Sequence, residues 1–70
     1  MSRITLGPDR GDGLPSYVEF RGERHETPEY DVIEEWVYDS VCETLAGDTV
    51  EPDGYGPNGS PSWLIALGLI

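Results

Sequence analysis

Thr27–Gly47, TPEYDVIEEWVYDSVCETLAG, is the longest stretch of the chain that reads as one regular element, and its reading decides the fold. Thr27 is placed as an N-cap ahead of Pro28, whose missing N–H is harmless in a first helical turn. Glu29 and Asp31 follow, where the helix dipole favours acids. Gly47, after Ala46, supplies a left-handed stop. Together these signals predict a helix over residues 28–46, about 28 Å long at 1.5 Å per residue.

At about 100° per residue, Tyr30, Ile33, Val37, Val41 and Leu45 fall on one stripe, with Tyr38 just beyond its edge. That stripe is expected to face the core. Opposite it, Asp31, Glu35, Asp39 and Glu43 form an i, i+4 ladder of like charge with no Lys or Arg in the helix to relieve it. Each such step costs a few tenths of a kcal/mol, roughly, and acids near a helix C-terminus are further disfavoured by the dipole. Val32 and Trp36 lie on the acidic side, away from the stripe. Either another segment packs on them, the C-terminal tail being available, or Trp36 is an interface anchor inside a rim of carboxylates.

Working outward, Arg3–Leu6 alternates polar and apolar residues, and Ser16–Arg21 does so again. Between them Gly7, Pro8, Asp9, Gly11, Asp12 and Gly13 make a dense turn cluster. The two runs predict a β-hairpin over residues 3–21, with Val18 and Phe20 on one face and Tyr17, Glu19 and Arg21 on the other. Two strands alone are not stable in water, so the Val18/Phe20 face needs cover, and the long helix is the obvious cover. Gly22 ends the hairpin, and Glu23–Glu26 reads as a solvated connection.

On the C-terminal side, residues 47–60 are rich in Gly, Pro and Asp and read as a loop without a regular element. Ser60-Pro61-Ser62-Trp63 then opens a short helix over residues 61–67, stopped by Gly68. Its residues are nearly all apolar, so it must be buried in the fold, against a second copy or in a partner. The expected architecture is therefore a single α+β domain: an N-terminal β-hairpin packed on one long amphipathic helix, with a short C-terminal helix.

Seventy residues, fourteen of them Asp or Glu against four Arg and no Lys, give a formal net charge of -10. Such a chain repels nucleic acid and anionic membranes and attracts basic surfaces. The single Cys42 offers neither a disulfide nor a Cys-based zinc site. No apolar leader segment precedes the first strand, and the apolar run Trp63–Ile70 is far short of the ~20 residues that span a bilayer. The expectation is a cytoplasmic protein that does not insert into membranes.

Local motifs carry little chemistry. Arg10-Gly11-Asp12 matches an integrin-ligand tripeptide, but sits in a turn cluster whose composition explains it. Asn58-Gly59-Ser60 matches a glycosylation acceptor, with a Pro directly after it. His25 between Glu23 and Glu26 has no second His to make a metal site, and Asp48, Glu51 and Asp53 do not follow the calcium-loop spacing. There is no nucleophile–base set, phosphate loop or pocket-forming length to support catalysis. Neither an enzyme, a metal nor a cofactor is expected.

The last twenty residues, EPDGYGPNGSPSWLIALGLI, resemble a tail found in small acidic proteins of actinobacteriophages, of the form PDG-x-G-x-x-G-x-PSWLLALG. The match rests on Pro52-Asp53-Gly54, Gly56, Gly59 and Pro61-Ser62-Trp63-Leu64 through Leu69. It covers under a third of the chain and includes no catalytic residue. The resemblance implies a phage-type accessory protein that acts by protein–protein contact in the host cytoplasm. A DivIVA-type polar-growth scaffold, RNA polymerase and a DNA-binding defence protein are the kinds of target it brings into view.

Charge, helix and tail together lead to one expectation and two alternatives. The expectation is a module that binds and inhibits or redirects a host protein with a basic or mixed apolar/basic surface. Val32 and Trp36 would be its anchors, with Asp31, Glu35, Asp39 and Glu43 steering the encounter. The alternatives are a nucleic-acid mimic that blocks a DNA-binding protein, and an assembly component that forms a homodimer through its apolar tail.

Overall fold

The computed structural model describes residues 4–70; Arg3, expected to open the first strand, lies outside them. Strand β1 (Ile4–Leu6) pairs antiparallel with β2 (Tyr17–Phe20), Leu6 opposite Val18. The ladder carries on toward the loop tip through hydrogen bonds from Gly7 N–H to the Tyr17 carbonyl and from Ser16 N–H to the Pro8 carbonyl. Val18 and Phe20 are buried and Tyr17 and Glu19 are not, so the period-2 alternation does pick the inward face.

A third strand, β3 (Glu23–Glu26), completes the sheet in the order β1-β2-β3. It lies on the stretch expected to be a solvated connection. The turn that makes it is Arg21-Gly22, with φ of 52° and 81° and Phe20 opposite Glu23. Two consecutive positive-φ residues form the tight turn whose twist suits an antiparallel hairpin. The two-stranded hairpin expected over residues 3–21 is instead part of a three-stranded antiparallel sheet.

The long helix is not formed. Helix α1 runs only from Tyr30 to Asp39, and both ends depart from the expected 28–46 for identifiable reasons. At the start, Thr27 continues the edge of the sheet, its N–H donating to the Ser16 carbonyl at 3.2 Å. The guanidinium of Arg10 then takes the carbonyls of Thr27 and Pro28 at 2.9 and 2.6 Å. Those carbonyls are not left for helical N–H groups, and the first intrahelical acceptor is Glu29. Thr27 is no cap: its Oγ1 is buried without a hydrogen-bond partner.

At the other end, Ser40 adopts the left-handed conformation, φ 58° and ψ 32°, which costs a non-glycine residue about 1–2 kcal/mol. The chain then turns into β4 (Cys42–Glu43), paired antiparallel with β5 (Thr49–Val50). Continuing the helix would extend an unrelieved ladder of carboxylates into its C-terminal turns. Leaving it lets Cys42, Thr44 and Leu45 be buried. Thr44 organises the β4–β5 turn, its Oγ1 accepting from the N–H groups of Ala46 and Asp48. Gly47 does take a positive φ of 97°, but in this turn and not behind a helix.

The stretch 47–60, expected to be a loop without a regular element, contains β5, and the part after it is tied down by backbone hydrogen bonds. Gly54 N–H reaches the Glu51 carbonyl, Gly56 N–H the Ser60 carbonyl and Ser62 N–H the Gly54 carbonyl. Leu45 N–H donates to the Pro61 carbonyl, which fastens this segment to the turn after β4. Helix α2 (Trp63–Ala66) follows, shorter than the expected 61–67. Ser62 Oγ caps it by accepting from Ile65 N–H. Gly68 closes it: the N–H groups of Gly68 and Leu69 return to the carbonyls of Ile65 and Leu64, a Schellman arrangement with Gly68 at φ 76°.

The core is assembled from all parts of the chain. Val18 and Phe20 come from the sheet, Ile33 from α1, Cys42 and Leu45 from the β4 region, and Trp63, Leu64, Ala66 and Leu67 from α2 and its end. The C-terminal segment thus supplies four of these buried residues and α1 one, and α2 packs beside β4.

Candidate functional site

Helix α1 is rotated from its expected setting. Of the anticipated core stripe only Ile33 is buried within the helix; Tyr30 and Val37 are 50% and 56% exposed. Leu45 is buried, but from the turn after β4, and Val41 is exposed. Tyr38, expected near the stripe's edge, is 89% exposed. Trp36, assigned to the outer side, is partly buried and packs against the core. Ile33 and Trp36, three residues apart, are the inward pair. The shortened helix needs only that much apolar surface inside, because Cys42 and Leu45 reach the core by another route.

Asp31, Glu35 and Asp39 remain an i, i+4 row on α1, and all three are exposed. Glu43 is exposed too, but on β4, so the row of four is broken after its third member. Among the described residues, a salt bridge joins Arg10 to Asp12 and His25 Nε2 lies 4.0 Å from Glu23, and neither contact reaches this row. Val32 is 37% exposed beside it. Of the expected anchors, then, Val32 is accessible and Trp36 is shared with the core.

The apolar surface that α1 does present lies toward Tyr30 and Val37. With Leu14, Ile33, Glu34 and Leu69 they line a groove of about 310 Å³. Leu14 comes from the hairpin loop, held by its N–H to Asp12 Oδ1, and Leu69 from just beyond the α2 cap. Three separated pieces of sequence therefore meet in this groove. The period of the helix signals Tyr30 and Val37 as apolar surface, but nothing local could announce Leu14 and Leu69 as their neighbours.

The Arg10-Gly11-Asp12 tripeptide is a structural staple. Arg10 Nε donates to Asp12 Oδ2 at 2.9 Å while its other nitrogens hold the Thr27 and Pro28 carbonyls. Slight desolvation pushes the Asp12 carboxyl up, but the Leu14 N–H and the Arg10 guanidinium outweigh it and leave its pKa below the ordinary value. On the outer face of the sheet, the Arg24 guanidinium lies 4.0 Å from the Tyr17 ring centre. A second, more polar hollow of about 210 Å³ lies between Phe20, Arg21, His25 and Ser60.

Among the described residues, no group of three or more His, Cys, Asp or Glu is placed to hold a metal ion. No described helix is long and apolar enough to cross a membrane. Cys42 is a fully buried free thiol and takes part in packing. Comparison with protein-family models, characterised proteins and solved structures finds no match. The tail resemblance gains no relative from these comparisons, and functional reasoning rests on the surface just described.

Proposed function

We propose that this protein is a small acidic binding module, not an enzyme, that engages and inhibits or redirects another protein through the exposed side of α1. The observation that carries the reading is the combination on one short helix of three exposed carboxylates, Asp31, Glu35 and Asp39, which join no salt bridge among the described residues, with exposed Tyr30, Val32, Val37 and Tyr38. Exposed aromatic and aliphatic groups beside like charges make poor solvent-facing surface but a good interface centre and rim. The charge of -10 selects a basic partner and speeds its encounter. The phage-type tail points to a host protein in the cytoplasm as the class of target.

The test is affinity capture from an actinobacterial lysate, repeated with Asp31→Asn, Glu35→Gln and Asp39→Asn combined. The reading expects a partner whose retention falls with added salt and with the triple substitution. Retention indifferent to both would contradict it. The partial burial of Trp36 favours a second reading, the nucleic-acid mimic, because the row of acids then lacks a central aromatic anchor. Competition between the protein and DNA for a captured target separates the two, since mimicry requires mutual exclusion.

A further inference from the structure

The acidic row says what charge a partner needs but not where it is gripped. The groove lined by Leu14, Tyr30, Ile33, Glu34, Val37 and Leu69 is mostly apolar, its side-chain polar groups being the Glu34 carboxylate and the Tyr30 hydroxyl. At about 310 Å³ it lies at the low end of the roughly 300–1,000 Å³ typical of small-molecule sites, and it lacks the several converging polar groups by which such sites orient a ligand. It suits one or two apolar side chains.

Charge decides between the candidate occupants. A second copy would bring another chain of charge -10 against the same surface, with a Glu34 from each side. The described arginines are engaged elsewhere: Arg10 is held by Asp12 and backbone carbonyls, Arg21 lies by Phe20 and Asn58, and Arg24 lies on Tyr17. None of these lines the groove. A cation arriving with the occupant would pair with Glu34 as the groove is desolvated.

We infer that this groove is the docking pocket for a basic segment of a partner protein, which inserts an apolar side chain against Val37 and Leu69 and pairs a Lys or Arg with Glu34. This deepens the binding-module reading and rests on it. It moves the anchor from Trp36 to the Tyr30/Val37/Leu69 surface and leaves the acidic row to steer.

The probe is a short synthetic peptide of leucine and lysine at amphipathic spacing, beside a peptide of equal charge with serine in place of every leucine. Binding is followed by NMR on the full chain, with Val37→Asp and Glu34→Lys as variants and a thermal melt as the check on folding. The expected result is that the leucine peptide shifts Leu14, Ile33, Val37 and Leu69, and that each variant weakens it at least about tenfold, as for an interface hot spot. Equal binding of both peptides, with shifts confined to Asp31, Glu35 and Asp39, would overturn the groove and leave the acidic-face reading standing. Binding of neither peptide would overturn both. Self-association that protects Val37 and Leu69 and excludes the peptide would make the occupant a second copy and also overturn the inference.

Discussion

Helix α1 and residues 51–68 hold the molecule in opposite ways. The helix satisfies its own backbone, gives Ile33 and part of Trp36 to the core, and turns most of its side chains outward. The C-terminal segment has a single four-residue helix, yet Ser60, Pro61, Ser62, Trp63, Leu64, Ala66 and Leu67 are all buried. Ser62 joins both halves of that segment: its N–H donates to the Gly54 carbonyl, and its Oγ donates to the Pro52 carbonyl while accepting from Ile65. In a chain this small, regular structure and stability sit in different places. A helix with little to bury is free to present a surface, and an irregular segment tied by backbone and serine hydrogen bonds can be the core.

The comparison breaks first if α2 proves dispensable. Trp63→Ala should cost about 3–5 kcal/mol, as large aromatic truncations in cores do. That is on the order of the whole stability of a domain this size, so the variant should be largely unfolded by circular dichroism. Val37→Ala, on the helix, should stay within about 0.5 kcal/mol of wild type in a urea titration. Comparable losses at the two positions would mean that α1, not the tail, supports the core.

Ser62→Ala sharpens the same contrast at a single hydroxyl. It removes the α2 cap and leaves the Pro52 carbonyl without its donor, and a loss of about 2 kcal/mol is expected. A Ser40→Ala control on the helix side removes no hydroxyl bond of this kind and should change stability far less.

The start of α1 can be probed through Arg10 and Asp12. Asp12 has a lowered folded-state pKa, so its contribution is present above the ordinary carboxylate value of about 3.9 and is lost as the pH falls through the lowered one. The penalty of Asp12→Asn relative to wild type should therefore be present at neutral pH and disappear in acid, read from urea midpoints across that range. A penalty independent of pH would show that the Arg10–Asp12 contact does not hold the loop. Arg10→Ala should cost about 1 kcal/mol and fray the first turn of α1, seen as faster amide exchange there.

What could be read in the sequence follows from which interactions are local. The inward face of Tyr17–Phe20 and the positive φ of Gly47 and Gly68 are set by neighbours one to four residues away and are signalled locally, whereas the cap of α2 is Ser62 and not Ser60, the residue before the expected 61–67 helix. The length of α1 is not set locally. Its N-terminal signal at Thr27-Pro28 is overruled by Arg10, seventeen residues earlier in the chain, and its C-terminal end falls at Ser40, a residue with no stop signal. The apolar period across Val37, Val41 and Leu45 is real as a pattern, but burying Cys42 and Leu45 through β4 wins over extending it. Propensity and period are weak priors against tertiary packing of this kind. The third strand had a local cue in the Phe20-Arg21-Gly22-Glu23 turn, weakened because Arg is an uncommon first residue for it. Of the candidate site, the acids Asp31, Glu35 and Asp39 and the accessible Val32 were legible, whereas Trp36 faces inward with Ile33. The Leu14 and Leu69 walls of the groove depend on contacts that no single stretch encodes.

The chain leaves the helix at Ser40, and one substitution reads this by sign. In the left-handed conformation at Ser40, Ser40→Gly relieves steric strain and should raise stability by up to about 1 kcal/mol. In the interior of a helix running on to Ala46, the same change would lower stability by about 0.5–1 kcal/mol. A urea titration of wild type against Ser40→Gly decides it. A higher midpoint is the predicted result, and a lower midpoint with unchanged slope would contradict the account.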